Sequence, residues 1–163
     1  MDVPREDAFD YVADLANRPS FTEHFVSDFH LSRLESTGLG AGARFRYFVP
    51  PQALWMDTVI TGLEPPHRIS ERGRGGRDNR LASATEWEFV LGPGPLTTVR
   101  VAYWTEPIKR ADRAKELLGG ASIWYRRDWQ AALRRLRDRL EAGGPGSERV
   151  GVAGGNRYLT GVP

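Results

Sequence analysis

The residues able to do chemistry are few in kind. Histidine occurs three times, at His24, His30 and His67, and none has a second histidine three or four residues away, the spacing that places two ligands on one helix face. Cysteine is absent, so disulfides, thiolate catalysis and cysteine-held zinc or iron–sulfur centres are excluded. Carboxylates are plentiful, but Asp7, Glu64 and Glu141 fall at the ends of elements, and Glu86 and Glu88 alternate away from Trp87. Asp57 lies in a strand beside Trp55; a carboxylate there is either a polarised catalytic group or one half of an ion pair, and the ion pair is favoured. Glu71 shares strand parity with Ile69, which points it inward as a polar group in an apolar interior.

Two basic features invite anion chemistry. Arg72-Gly73-Arg74-Gly75-Gly76-Arg77 lacks the strand–loop–helix context and the Lys-Ser/Thr of a phosphate-binding loop, and is expected to be a solvated turn between strands. From Lys109 to Glu141 there are ten basic and five acidic residues, enough for weak contact with an anionic membrane. The interleaved Asp128, Asp138 and Glu141 argue against a nucleic-acid surface. Lys109 and Lys115 are the only lysines, which fits either fixed arginine ion pairs or a compositional bias toward arginine. The formal net charge of +2 requires no strongly charged partner.

Positioning these groups falls to a short list of elements. Pro4 with Glu6 and Asp7 opens a helix carrying Phe9, Val12 and Ala16 on one stripe, and Asn17-Arg18-Pro19 breaks it. Phe21, His24 and Phe25 suggest a second short helix. Alternating strands follow at Phe29–Leu34, Arg44–Val49, Trp55–Leu63, Arg68–Arg72, Ser83–Leu91 and Thr97–Thr105, separated by glycine and proline turns. Thr85, Trp87, Phe89 and Leu91 share one face; Val99, Val101 and Tyr103 share another. The last element is a long amphipathic helix with Tyr125, Trp129, Ala132, Leu133, Leu136 and Leu140 along its apolar stripe, stopped by Gly143-Gly144-Pro145. No run of about 18 apolar residues exists to span a bilayer, and the N-terminus has no apolar signal core, so the cytoplasm is the expected compartment.

Helix, helix, six antiparallel strands and a long helix, in that order, resemble the SRPBCC superfamily of START-type lipid carriers, polyketide cyclases and pollen-allergen-type proteins. The resemblance rests on Val3-Pro4, Ala8 to Asp14, Asn17 and Pro19, Gly38 to Gly40, Leu63 to Pro66 with Arg68-Ile69, Trp87-Glu88-Phe89, Thr98-Val99 and the last helix. It implies an α+β helix-grip domain over residues 1–142, a curved antiparallel sheet of six to seven strands around the C-terminal helix, followed by a glycine-rich tail over 143–163. Family members carry a strand before the Val-Pro, whereas two residues precede Val3 here. The start lies upstream, or that strand is missing, or another segment fills the gap; the patch Arg149–Val152 could add an edge strand.

The resemblance implies a cavity for a small hydrophobic molecule such as a lipid, polyketide or isoprenoid, with no metal and no cofactor. The residues expected to line it are His24, Tyr47, Met56, Glu71, Trp87, Phe89, Tyr103 and Trp124, with Glu71, Tyr103 and His24 orienting the guest. A cyclase or dehydratase moving a proton within the cavity, and an interaction module with a solid core, are the alternatives. Oligomeric state is not legible.

Overall fold

The computed structural model describes residues 1–49, 52–94, 96–109, 113–114, 121–143 and 151–152. Helix α1 (Arg5–Ala13) buries Ala8, Phe9, Val12 and Ala13, then gives way to a short 3₁₀ turn (Leu15–Asn17) and helix α2 (Pro19–Thr22). The strands are β1 (Val26–Leu31), β2 (Gly42–Val49), β3 (Gln52–Glu64), β4 (Arg68–Gly75), β5 (Leu81–Leu91) and β6 (Thr97–Pro107), followed by helix α3 (Ala121–Glu141) and a two-residue strand β7 (Gly151–Val152). The six strands β1 to β6 pair antiparallel with their sequence neighbours, giving the order β6-β5-β4-β3-β2-β1-β7. This is the curved α+β helix-grip architecture that the resemblance implies.

Alternation of side chains decides what the helices cover. Tyr47, Met56, Ile60, Ile69, Glu71, Thr85, Trp87 and Phe89 all turn inward and are buried. Across the gap, Trp129, Ala132 and Leu136 of α3 are buried, and Tyr125, Leu133 and Leu140 pack on the same core. Helix α1 closes one end, its Phe9 meeting Phe89 edge-to-face at 5.4 Å. The opposite face of the sheet carries cross-strand ion pairs such as Arg46–Asp28 and Arg68–Glu88, each group about half exposed. Such pairs contribute little to stability and keep that face solvated.

Two expectations need correction. Strand β4 does not stop at Arg72: Gly73 and Gly75 remain in register with Thr58 and Met56 of β3, so half of the glycine–arginine segment is sheet. The reason is space, since a Cβ at Gly73 would sit 2.6 Å from the Asp57 carbonyl oxygen. The turn proper begins at Gly76, with φ of 70°, and runs through Asp78 and Asn79, also at positive φ. Helix α2 ends at Thr22, so Phe25 leads into β1 and His24 falls outside the helix. Asp57 forms the ion pair favoured for it, on the outer face and half exposed, 3.8 Å from Arg44 on the neighbouring strand. Of the tail, Gly151 and Val152 pair in parallel with His30 and Leu31 at the edge of β1; residues 144–150 and 153–163 of that expected segment lie outside the described residues.

Candidate functional site

The interior is organised around a buried ion pair. The Asp14 carboxylate accepts from the Ala16 amide at 2.9 Å and caps the 3₁₀ turn, and Asn17 donates to the Tyr11 carbonyl at 3.1 Å. These bonds fix the entry to α2, where the Arg18 carbonyl accepts from Thr22 Oγ1 at 2.8 Å and the Arg18 side chain turns inward. Its guanidinium reaches Glu71 on β4: Nη2 donates to Oε1 at 2.6 Å and Nη1 to Oε2 at 3.5 Å. Trp87 Nε1 donates to Oε1 at 2.9 Å, and Thr58 Oγ1 to Oε2 at 3.2 Å. Both side chains are almost fully buried, at 7% and 2% exposure. Four donors around one carboxylate supply what desolvation removed. The Arg18 guanidinium also lies 5.0 Å from the Trp87 ring centroid, a cation–π contact.

Aromatic rings occupy most of the remaining interior. Tyr47 stacks on Tyr103 at 5.9 Å, Tyr125 meets both edge-to-face at 5.5 and 5.1 Å, and Trp129 meets Trp87 edge-to-face at 5.4 Å. What is left beside the ion pair is a pocket of about 30 Å³, bordered by Arg18, Tyr47, Glu71, Thr85, Tyr103 and Trp129. That is room for one or two water molecules. Burial, with Tyr103, Asp128 and Tyr125 nearby, holds the Tyr47 phenol far above its ordinary pKa. Tyr47 is therefore a neutral hydrogen-bond donor around neutral pH.

A second, larger space lies at the seam between β6 and α3. It is an open cleft of about 620 Å³ walled by Val101, Tyr103, Tyr125, Trp129 and Leu133, with Arg113 and Arg126 also bordering it. Tyr103 and Trp129 border both spaces, so two aromatic side chains separate the seam from the inner pocket. A single helix cannot cover the whole concave face of six strands, and the surplus appears at this edge.

No family model matches the chain, and no curated protein matches it in sequence. Solved structures do match in shape. A protein from Thermus thermophilus superposes with a TM-score of 0.64 at 16% identity, over 89% of this chain and 94% of that one. A protein from Rhodobacter sphaeroides gives 0.58 at 14% identity over 87% of each chain. The major latex-like protein 151 of Panax ginseng gives 0.56 at 12% identity, over 85% of this chain and 88% of that one. The chain has the helix-grip fold.

Within this helix-grip domain the expected site residues separate into three groups. Tyr47, Glu71 and Tyr103 come together around the inner pocket. Met56, Trp87 and Phe89 are buried at 2% exposure or less and serve as packing; Trp87 also holds Glu71 in place. His24 and Trp124 stand apart. His24 is exposed on the turn after α2, with Nε2 3.1 Å from the Asp128 carbonyl oxygen. Trp124 is half-buried beside Arg127, whose guanidinium lies 5.7 Å from its ring. Two groups bordering these spaces escape the sequence reading: Arg18, which there marks only a helix break, and Tyr125, which there belongs only to a core stripe. Glu71 itself is the available signal for Arg18, because a carboxylate at an inward strand position requires a buried cation or several donors. Among the described residues no three His, Asp or Glu side chains converge as a metal site would require, and no helix is long and apolar enough to cross a membrane.

Proposed function

We propose that this chain is an SRPBCC-like carrier or binding protein that takes a small apolar molecule into the seam between β6 and α3. The observation that carries this reading is the cleft itself. Its volume of about 620 Å³ falls within the range of ordinary small-molecule sites, and its walls are mainly apolar and aromatic. Burying a guest there removes apolar surface from water at about 25 cal/mol per Å². The latex-like and bacterial structures of the same shape support the architecture of the site, and the guest is read from the chemistry of the walls.

The interior favours binding over proton transfer. Glu71 is saturated by Arg18, Trp87 and Thr58, and so is poorly placed to accept a substrate proton. Tyr47 holds its proton too tightly to act as an acid or to serve as a base. A cyclase needs at least two convergent groups with accessible protons, and these two do not supply them.

The test is retention of an apolar adduct by native mass spectrometry, combined with titration of an environment-sensitive apolar dye. Leu133→Glu places a charge on the cleft wall and is expected to weaken dye binding at least tenfold, about 1.4 kcal/mol, since the guest must then desolvate a carboxylate where it covered an apolar side chain. Wild-type protein that takes up no apolar probe, or a Leu133→Glu variant that binds as well as wild type, would overturn the proposal.

A further inference from the structure

Four buried side-chain polar atoms have no hydrogen-bond partner among the described residues: Arg5 Nε, Arg18 Nε, Tyr47 Oη and Trp129 Nε1. Three of these four belong to residues bordering the inner pocket. Native interiors leave few such groups, so three of them on residues around one small void call for a physical account. The three share a chemical character. A guanidinium N–H and an indole N–H can only donate, and a phenol donates one hydrogen. The one carboxylate bordering that pocket, Glu71, is already engaged by four donors. The orphan nitrogens therefore offer only hydrogens, while the acceptors left at the pocket are the hydroxyl lone pairs of Thr22, Thr58, Ser83 and Thr85 and of the Tyr47 phenol.

A water molecule fits the volume and can pair with these groups, and it is the occupant that a guest's oxygen would displace. An anion suits the pocket poorly. Arg18 is the cation at the pocket and is already neutralised by Glu71 at 2.6 Å, so a second carboxylate would enter a dry space without a counter-charge. A carbonyl oxygen accepts hydrogen bonds, donates none and carries no net charge. Tyr103 and Trp129 border the pocket on one side and the seam on the other, with ring centroids 5.7 Å apart, so a guest lying in the seam reaches the pocket by displacing these rings.

We infer that the inner pocket is a receptor for one uncharged acceptor oxygen, of ketone or ester type, at the leading end of the apolar guest, held by Tyr47 Oη and Trp129 Nε1. The inference rests on the reading of the seam as the ligand site, and it narrows the guest from any apolar molecule to an apolar carbonyl compound. Because Tyr47 stays protonated around neutral pH, its hydrogen bond to that oxygen does not depend on pH there.

The experiment uses two matched probes, an alkyl naphthyl ketone and the same molecule with its carbonyl replaced by methylene, titrated calorimetrically into the full chain. Wild-type protein is expected to bind the ketone about tenfold more tightly, the size of one well-made hydrogen bond. The carbonyl stretch of the bound ketone is expected to fall to lower frequency, a reading that needs no substitution. Tyr47→Phe keeps the ring that stacks on Tyr103 and removes only the hydroxyl. It is expected to abolish the ketone preference while leaving methylene-probe affinity within about a factor of two. Equal binding of the two probes by wild type, an unshifted stretch, or a ketone preference that survives Tyr47→Phe overturns the carbonyl receptor and leaves the seam standing. Failure of both probes to bind overturns the seam reading, and this inference with it.

Discussion

Breaking the Arg18–Glu71 pair is the sharpest test of how this interior is held together. The charges sit behind α2 at 7% and 2% exposure, linked by a 2.6 Å bond, so water screens them little. At an effective dielectric near 20, unit charges about 4 Å apart attract by about 4 kcal/mol. Removing one partner also strands the other. Glu71→Gln leaves Arg18 as an uncompensated buried cation, and Arg18→Met leaves Glu71 with only Trp87 Nε1 and Thr58 Oγ1. Each single change is expected to cost about 3–5 kcal/mol, the range for broken buried pairs. That is a large part of the roughly 5–15 kcal/mol by which domains of this kind are stable. The double variant removes both charges together and is expected to lose less than the two singles added, with a coupling of about 2 kcal/mol or more by the usual behaviour of residues in one network. Urea unfolding followed by tryptophan fluorescence measures all four proteins, and an unchanged slope certifies the comparison. The same cycle on Arg46 and Asp28, about half exposed on the outer face, provides the control and is expected to stay below about 1 kcal/mol. Single losses below about 1 kcal/mol at the buried pair, adding without coupling, would refute the reasoning.

Three further outcomes follow from local geometry. Partial burial raises the Asp128 carboxyl above its ordinary value, with His24 and Arg127 pulling it back; the folded state therefore binds the proton more tightly, and stability declines as pH rises through the carboxylate range. Asp128→Asn is expected to raise the urea midpoint relative to wild type at neutral pH and to show no gain at about pH 3, where the wild-type carboxyl is protonated in both states. Gly75→Ala places a Cβ against the Trp55 carbonyl oxygen and Met56, and is expected to cost about 1–3 kcal/mol in thermal or urea unfolding. Gly94→Ala meets nothing within 4 Å and should lose only the roughly 1–2 kcal/mol of its left-handed backbone, at φ of 72°.

Local patterns are legible where one element decides the outcome. The Tyr125–Leu140 stripe locates α3, and alternation puts Tyr47, Glu71, Trp87 and Phe89 on the concave side before any pairing is known. Arg18 stays hidden because its partner is 53 residues away, while its neighbour Pro19 already explains a helix boundary. Gly73 and Gly75 read as turn residues because glycine is ambiguous between a turn and a tight strand crossing. The carbonyl of Asp57 and the side chain of Met56, which require glycine there, lie on another strand. His24 reads as part of a helix that in fact ends at Thr22, and an error of two residues at such a boundary is enough to carry a side chain from the interior to the surface.

Volume is the quantity that periodicity does not carry, and it decides the function. Parity assigns Tyr47 and Tyr103 to the inside, but whether they line a void or fill it depends on how far each ring reaches across a curved sheet. Here Tyr47 and Tyr103 stack on each other, and with Tyr125 and Trp129 they occupy the space where an enclosed cavity is expected, leaving about 30 Å³. The excess of concave surface over what one helix covers does not vanish; it appears as the seam of about 620 Å³ along β6. The same two residues, Tyr103 and Trp129, bound both spaces. A guest in the seam would therefore rest against the rings that close the inner pocket, and displacing those rings would turn two separate voids into one site with the Arg18–Glu71 pair at its base.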